Sequence, residues 1–328
     1  MEKKINYLLI AIFCLLLNSC GSDYSPFFDV DNTAPVIAEV TAVTPPSNDN
    51  TPDYTFSSTE SGSLYFEGSC SSSTTSVSSG DNTITLNSLS DGTYSDCAIT
   101  VSDTAANESN AITLTSFTID STAATLIETS AIDSSTNDST PDYTFVSSEA
   151  GTITYSGSCS SSTTSAIAGT NTITLNSLSD GTYSDCKITV TDSLENAVTL
   201  NIGSFAIDTT APTVTSVSTN ANNQSSVAIT DNISVTFSKA MDTTSVTTNT
   251  SNTSCSGTLR VSSDNFSNCV QMASSPSSSN SDKTFTLDPS DNLTGGTTYK
   301  TRVTTGVTDS AGNALSSQYD NSTGFTTQ

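Results

Sequence analysis

The sixteen residues NTITLNSLSDGTYSDC occur twice, at positions 82–97 and 171–186, an offset of 171 − 82 = 89. An internal repeat this strict confines the chain to a tandem array of one structural unit. The match extends beyond the shared stretch. NDNTPDYTFSS (48–58) meets NDSTPDYTFVS (137–147), and GSCSSSTTS recurs unchanged at 68–76 and 157–165. TSFTID (115–120) meets GSFAID (203–208) at an offset of 88, so one residue is lost in the preceding loop. Each unit opens on a similar hinge: Asp31-Asn32-Thr33-Ala34, Asp120-Ser121-Thr122-Ala123 and Asp208-Thr209-Thr210-Ala211. These hinges divide the chain into modules at 31–120, 121–208 and 209–328, each of ordinary small-domain size.

Within the first module the segments PVIAEVT, DYTFSS, GSLYFEG, NTITLNSL, CAITVSD and AITLTSFTI read as short strands separated by Gly, Asn, Asp, Ser and Pro. Ser and Thr together make up about 120 of the 328 residues, and Lys and Glu are few. That composition favours strands over helices. Turn signals recurring about every ten residues, with no helical window between them, predict an all-β chain of tandem antiparallel sandwiches. In LSDGTY the turn residues Asp91-Gly92 precede Tyr94, the setting of a tyrosine corner. Strict alternation puts Cys97, Ile99 and Val101 on one face and Tyr94 on the other unless a bulge intervenes. The repeated stretch is thus read as strands, a turn and half of a cross-link, with no chemistry of a site.

Besides Cys14 and Cys20, six cysteines remain: Cys70, Cys97, Cys159, Cys186, Cys255 and Cys269, two per module. Spacing is the same in both repeats, 97 − 70 = 27 and 186 − 159 = 27. An even count at repeated spacing in an exported chain reads as disulfides, and tandem duplication favours pairing within each module. Zinc is the competing reading, but the chain has no CxxC and no histidine.

Glu2-Lys3-Lys4 forms a basic start, followed by an apolar run at 7–17 of 17 − 7 + 1 = 11 residues. Such a run is too short to span a bilayer and suits a secretory signal. LNSC at 17–20 resembles a bacterial lipobox, which implies a signal peptide at 1–19, acylation of Cys20 and a lipidated tether at 20–30. More than one acyl chain on that cysteine would anchor firmly. By the same resemblance, Gly21 after the cysteine implies the outer membrane. The expected location is the bacterial cell envelope, lipid-anchored, at the outer membrane or cell surface.

The formal net charge is −25, and no Lys or Arg lies between Cys20 and Cys186. A surface this acidic repels polyanions, which excludes nucleic acid as a partner. It also leaves trypsin without a site across that stretch. Five of the eight basic residues, Lys239, Arg260, Lys283, Lys300 and Arg302, fall in the third module.

That module also carries VTFSKAMD (235–242), LTGGTTYKTRVTTGVTDSAGNAL (293–315) and a terminal GFTT (324–327). These motifs resemble the bacterial Ig-like domain of the SbsA type. The segment between Cys255 and Cys269 is not part of the usual pattern. Modules one and two are similar to other bacterial Ig-like repeats through TNDSTPDYTF. The resemblance implies Ig-like sandwiches that act as stalks, adhesins or accessory modules and carry no catalytic residues.

Without histidine, neither a Ser–His–Asp nor a Cys–His arrangement can form. The chain also has no Trp for sugar stacking, and most of its 33 acidic residues sit in turns. No enzyme is expected. Calcium is the sharper hypothesis for the acids: Asp49, Asp53 and Asp103 recur as Asp138, Asp142 and Asp192, with Asn107 and Asn196 nearby. Oxygen ligands in acidic loops suit a hard cation, yet no D-x-D-x-D-G loop is present, and turn formation accounts for the same residues. No catalytic or metal residue is therefore assigned. The sequence reads as a non-catalytic stalk or adhesion module, with the third module as the favoured contact to an unknown surface protein or glycan. The alternative is a periplasmic scaffold or accessory subunit binding glycan or a protein partner.

Overall fold

The computed structural model describes residues 30–219 and 225–328. The lipobox, Cys20 and the apolar run lie outside the described residues. Every regular element described is a β-strand. The chain divides into two compact units, Met1–Thr122 and Ala123–Gln328, the second containing two sandwiches.

The first sandwich faces a three-stranded sheet against a four-stranded one. The former runs Ile37–Thr41, Asp53–Ser58, Gly80–Thr85, and the latter Ser76–Val77, Gly62–Glu67, Ala98–Ser102, Ile112–Thr113. The pair Gly92–Tyr94 and Phe117–Ile119 completes it, with Ser47 bridging Ile119 in parallel. The second sandwich repeats this order with Leu126–Ser130, Asp142–Ser147, Gly169–Thr174 facing Ser165–Ala166, Gly151–Ser156, Lys187–Thr191, Ala197–Asn201. In the third, Val214–Thr219, Ile233–Phe237, Thr284–Leu287 and Ser277–Ser279 form one sheet. Ser225–Val227, Phe325–Thr327, Thr298–Val303 and Leu259–Ser262 form the other, with Tyr319–Asp320 also paired to Thr298–Val303. The architecture is all-β, tandem Ig-like antiparallel sandwiches.

Period-two alternation drives each core. In DYTFSS, Tyr54, Phe56 and Ser58 point inward while Asp53, Thr55 and Ser57 face out. Tyr54, Phe56, Ile84, Ile99 and Val101 are buried to within 1% exposure, as are Tyr143, Phe145, Ile173, Ile188 and Val190 at the equivalent positions. At about 25 cal/mol per Å² of apolar surface, these side chains supply most of the drive to fold.

The outer faces explain the Ser/Thr excess. Hydroxyls pair across neighbouring strands at Thr55–Thr83 (2.9 Å), Thr144–Thr172 (3.0 Å), Thr236–Thr284 (3.1 Å) and Thr298–Thr326 (2.9 Å). Directly opposed threonines of this kind stabilise a sheet by a few tenths to about 1 kcal/mol each without any charge.

Each sulfur pair closes within its own module: Cys70–Cys97, Cys159–Cys186 and Cys255–Cys269, with Cα–Cα distances of 5.3, 5.2 and 5.0 Å. In the repeats the bond seals the end of one antiparallel pair, just beyond Glu67 opposite Ala98 and Ser156 opposite Lys187. It therefore ties neighbouring strands of one sheet, unlike the inter-sheet bond of antibody domains. The turn into it needs Gly68 and Gly157, at φ of +78° and +81°, where an added Cβ would meet the Asp96 or Asp185 carbonyl oxygen at 2.0 or 2.1 Å.

Two local expectations are corrected. Alternation does not run from Tyr94 to Cys97, because Gly92–Tyr94 pairs with Phe117–Ile119 while Ala98–Ser102 belongs to the four-stranded sheet. The chain changes sheets between them, so Tyr94 stacks on the core residue Phe117 at 5.4 Å. Its hydroxyl donates to the Ser90 carbonyl at 2.8 Å, and Tyr183 does the same to Ser179 at 2.9 Å, which are tyrosine corners. AITLTSFTI is not one strand but two, Ile112–Thr113 and Phe117–Ile119, in different sheets. The residue lost from the second repeat corresponds to one of Asn110 and Ala111, where the register shifts between Ser102 opposite Glu108 and Ile99 opposite Ile112; just before it the Ser109 hydroxyl accepts from Val101 N at 2.9 Å. Without it the equivalent strand lengthens to Ala197–Asn201.

Candidate functional site

The sequence marks two places for closer reading: the acidic hinges and the basic third module. At the hinges, the aspartate of the duplicated LSDG turn does more than form a turn. The Asp180 carboxylate accepts from Thr209 N (2.9 Å), Thr209 Oγ1 (2.7 Å) and Thr210 Oγ1 (2.7 Å). Asp91 makes the same grip on Ser121 N (2.9 Å), the Ser121 hydroxyl (2.8 Å) and Thr122. These bonds hold both carboxyls below their ordinary range, led by the threonine hydroxyls of Thr122 and Thr210. A depressed carboxyl contributes above its unfolded value of roughly 3.9 and loses that contribution as pH falls through the lowered one. Asp180→Ala is expected to speed proteinase K cleavage at 208–211 by at least about threefold at pH 7, with little change in global melting. Unchanged cleavage would show that the hinge does not need the carboxylate.

A second clamp joins the second and third sandwiches within their unit. The Asn313 side chain donates to the Asp208 carbonyl at 2.6 Å, and the Lys239 ammonium reaches Asp208 at 2.6 Å and Asp309 at 3.3 Å. The Asp309 side chain is 1% exposed, and it also accepts from Ala311 N at 3.0 Å and Asn313 N at 2.8 Å. Burial by itself lowers the Lys239 pKa, but the hydrogen bonds to Asp208 and Asp309 outweigh it and hold the ammonium above the ordinary lysine value. The first module has a related node. Asn107 donates to the Asp31 carbonyl at 3.0 Å, and oxygens of Asp31, Glu60 and Asp103 lie within 4.8 Å of one another. Thr59 Oγ1 accepts from Val36 N, as Ser238 Oγ accepts from Thr213 N. Glu60 and Lys239 are therefore the next residue at equivalent positions, with opposite charge.

The six aspartates singled out for calcium do not converge. Asp49 and Asp138 accept from Thr51 and Thr140 two residues on, Asp53 takes the Thr85 hydroxyl at 2.6 Å, and Asp142 takes that of Thr174 at 2.6 Å. Asp103 and Asp192 organise their own loops through Asn107 and Asn196. Turn and cross-strand bonding account for all six, and only Asp103 enters the three-carboxylate node.

In the third module the basic residues split. Arg260, Lys300 and Arg302 lie on the pair Leu259–Ser262 and Thr298–Val303, with Arg260 opposite Arg302 and Ser262 opposite Lys300. Arg302 binds Asp320 through Nε (2.7 Å) and Nη2 (3.0 Å), and its guanidinium sits 3.9 Å over the Phe266 ring. Arg260 Nε donates to the Gly257 carbonyl at 2.9 Å. A groove of about 380 Å³ opens beside them, lined by Ser262, Ser263, Asp264, Asn265, Thr298 and Lys300. The disulfide Cys255–Cys269 brackets the first of these strands and the loop after it. This groove and the two hinge clamps were not foreseen from sequence. Their only trace was the clustering of basic residues and the recurrence of Asp-Gly ahead of each hinge.

A search of curated proteins finds no match to the chain. Among solved structures it is similar to invasin, a bacterial integrin-binding protein, at 12% identity and a TM-score of 0.31, covering 88% of this chain and 59% of that one. It is also similar to SGBP-B of the Bacteroides ovatus mixed-linkage glucan utilization locus, solved with a mixed-linkage heptasaccharide. That match has 15% identity and a TM-score of 0.19, covering 84% of this chain and 61% of that one. The chain thus spans about three fifths of the length of either structure. Residues 208–327, the third sandwich with its hinge aspartate, match the family model of the bacterial Ig-like domain.

Proposed function

We propose that the chain is a non-catalytic lipoprotein of the bacterial cell envelope, held at the outer membrane through an acylated Cys20. Its Ig-like sandwiches act as a stalk that presents the third module to a surface protein or glycan. The observation that carries this reading is the division of labour among the modules. The first two have near-identical cores and hydroxyl-lined outer faces, while five of the eight basic residues and the polar groove belong to the third. The carboxylate clamp at 208–211, inside one unit, suits a spacer, because it restrains the segment between two successive sandwiches.

The test is proteinase K shaving of intact cells, followed by blotting for the third module. Trypsin is unsuitable, since residues 21–186 lack Lys and Arg. Loss of signal on intact cells is the expected result, together with loss of adhesion on deletion of 209–328. Full protection until the outer membrane is opened would sink the surface reading and favour a periplasmic scaffold or accessory subunit. Retained adhesion after the deletion would remove the third module from the contact.

A further inference from the structure

The first and third sandwiches build the same frame where the chain enters them. Asp103 Oδ1 accepts from Ala105 N and Asn107 N, both at 2.8 Å, and Asp309 Oδ1 accepts from Ala311 N at 3.0 Å and Asn313 N at 2.8 Å. The asparagine that closes each loop donates to the second oxygen of its aspartate, Asn107 at 2.8 Å and Asn313 at 3.0 Å. The same amide reaches the entering segment, at the Asp31 carbonyl (3.0 Å) or the Asp208 carbonyl (2.6 Å). Asp31 Oδ1 accepts from Thr33 N at 3.0 Å, as Asp208 Oδ1 does from Thr210 N at 3.1 Å. Residue for residue, Asp31, Asp103 and Asn107 stand where Asp208, Asp309 and Asn313 do.

The two frames differ in what joins the aspartates. In the third sandwich it is a cation: Lys239 Nζ donates to both Asp208 carboxylate oxygens, at 2.6 and 2.7 Å, and to the Thr210 carbonyl, and it lies 3.3 Å from Asp309 Oδ2. In the first, the residue at the Lys239 position is Glu60, and oxygens of Asp31, Glu60 and Asp103 lie within 4.8 Å of one another. A frame that binds an ammonium in one module thus carries a third anion in the other. Like charges this close repel even across water. Residues 21–186 contain no Lys, Arg or His, so among the described residues of the first unit no side chain can supply the missing positive charge.

A donor set made only of carboxylates suits a hard cation and not a soft one. The spacing suits calcium, whose oxygen ligands sit at roughly 2.3–2.6 Å and therefore up to about 5 Å apart, better than magnesium, whose ligands at about 2.0–2.1 Å must close to roughly 4.2 Å. We propose that Asp31, Glu60 and Asp103 bind one calcium ion, which takes the part in the first sandwich that the Lys239 ammonium takes in the third. The ion draws the entering segment at 31–34 onto the loop at 103–107. This site lies wholly within the first unit and is independent of what the third module contacts.

The test uses the full chain, stripped with EDTA, with amide chemical shifts followed during titration with calcium chloride at constant ionic strength. Saturable shifts at Asp31, Thr33, Glu60, Asp103 and Asn107 are expected, with a Kd on the order of 0.1–1 mM, the range of extracellular calcium modules. Magnesium chloride should bind the same amides more weakly. Glu60→Gln should weaken calcium binding by about tenfold or more, as loss of a charged ligand implies. Glu67→Gln, in the same sandwich but outside the node, should bind as the parent does. Glu60→Lys, which recreates the ammonium of the third sandwich, should abolish the response at these amides and melt no lower than the parent does in EDTA. Shifts that spread over acidic residues without saturating, an unaffected Glu60→Gln, or calcium still bound at these amides by Glu60→Lys would each overturn the proposal. Magnesium binding as tight as calcium would overturn the choice of ion.

Discussion

Replacing Cys159 and Cys186 together with alanine should cost the second sandwich about 3–4 kcal/mol. The bond closes a loop of 27 residues. In the chain-entropy model that loop adds about 3.5 kcal/mol by restricting the unfolded chain, against about 3 kcal/mol for the 14-residue loop of Cys255–Cys269. For a domain of this size the change corresponds to a fall in melting temperature of roughly 15 °C or more. Calorimetry of the double variant beside the parent measures it. A loss under about 1 kcal/mol would mean that the packed sheets alone define the fold and the sulfurs are incidental.

Lys239→Ala should be the next most damaging. It leaves the Asp309 carboxylate, 1% exposed, without the ammonium at 3.3 Å and leaves the Asp208 side chain to Thr210 N at 3.1 Å. Removing one member of a buried pair costs about 3–5 kcal/mol, and about 2 kcal/mol is expected here because Lys239 and Asp208 keep some access to water. Adding Asp309→Asn should restore part of the loss, since an amide needs no counter-charge. The sign with pH follows from the raised lysine: its contribution is whole through neutrality and disappears only as pH climbs past that raised value. Urea melts at pH 7 of the parent, the single and the double variant decide the matter. A single variant as stable as the parent, or no rescue by the double, would show that the clamp is ornamental.

Much of this architecture could be read from local pattern. DYTFSS, GSLYFEG and CAITVSD correspond to Asp53–Ser58, Gly62–Glu67 and Ala98–Ser102 because each alternates apolar and polar side chains for long enough to define a face. Tyr94 was legible as a corner because its acceptor, Ser90, is four residues away. Short strands defeat that reading. Gly92–Tyr94 and Phe117–Ile119 have three residues each, too few to show a period, and their sheet is set by pairing across the chain. The site features failed for the same reason at longer range. Asp180 meets Thr209 29 residues on, and Asn313 meets Asp208 across 105. An Asp-Gly turn looks alike whether or not its carboxylate has a distant partner. Asp49 and Asp53 looked like ligands because they recur, but recurrence also follows from copying a turn and a cross-strand bond.

The sulfur bonds have a mechanical consequence for a chain loaded along its length. When a sandwich without a cross-link unravels, every residue adds to the extension, at about 3.5 Å apiece. In the first two sandwiches the 27 residue steps between the bonded cysteines cannot contribute, which withholds roughly 95 Å of slack from each. The withheld segment holds Ser76–Val77, Gly80–Thr85 and Gly92–Tyr94 in the first sandwich, so three strands remain tethered even after the sheets part. A pulled module therefore gives way over a shorter distance and keeps its returning strands close at hand when the tension drops.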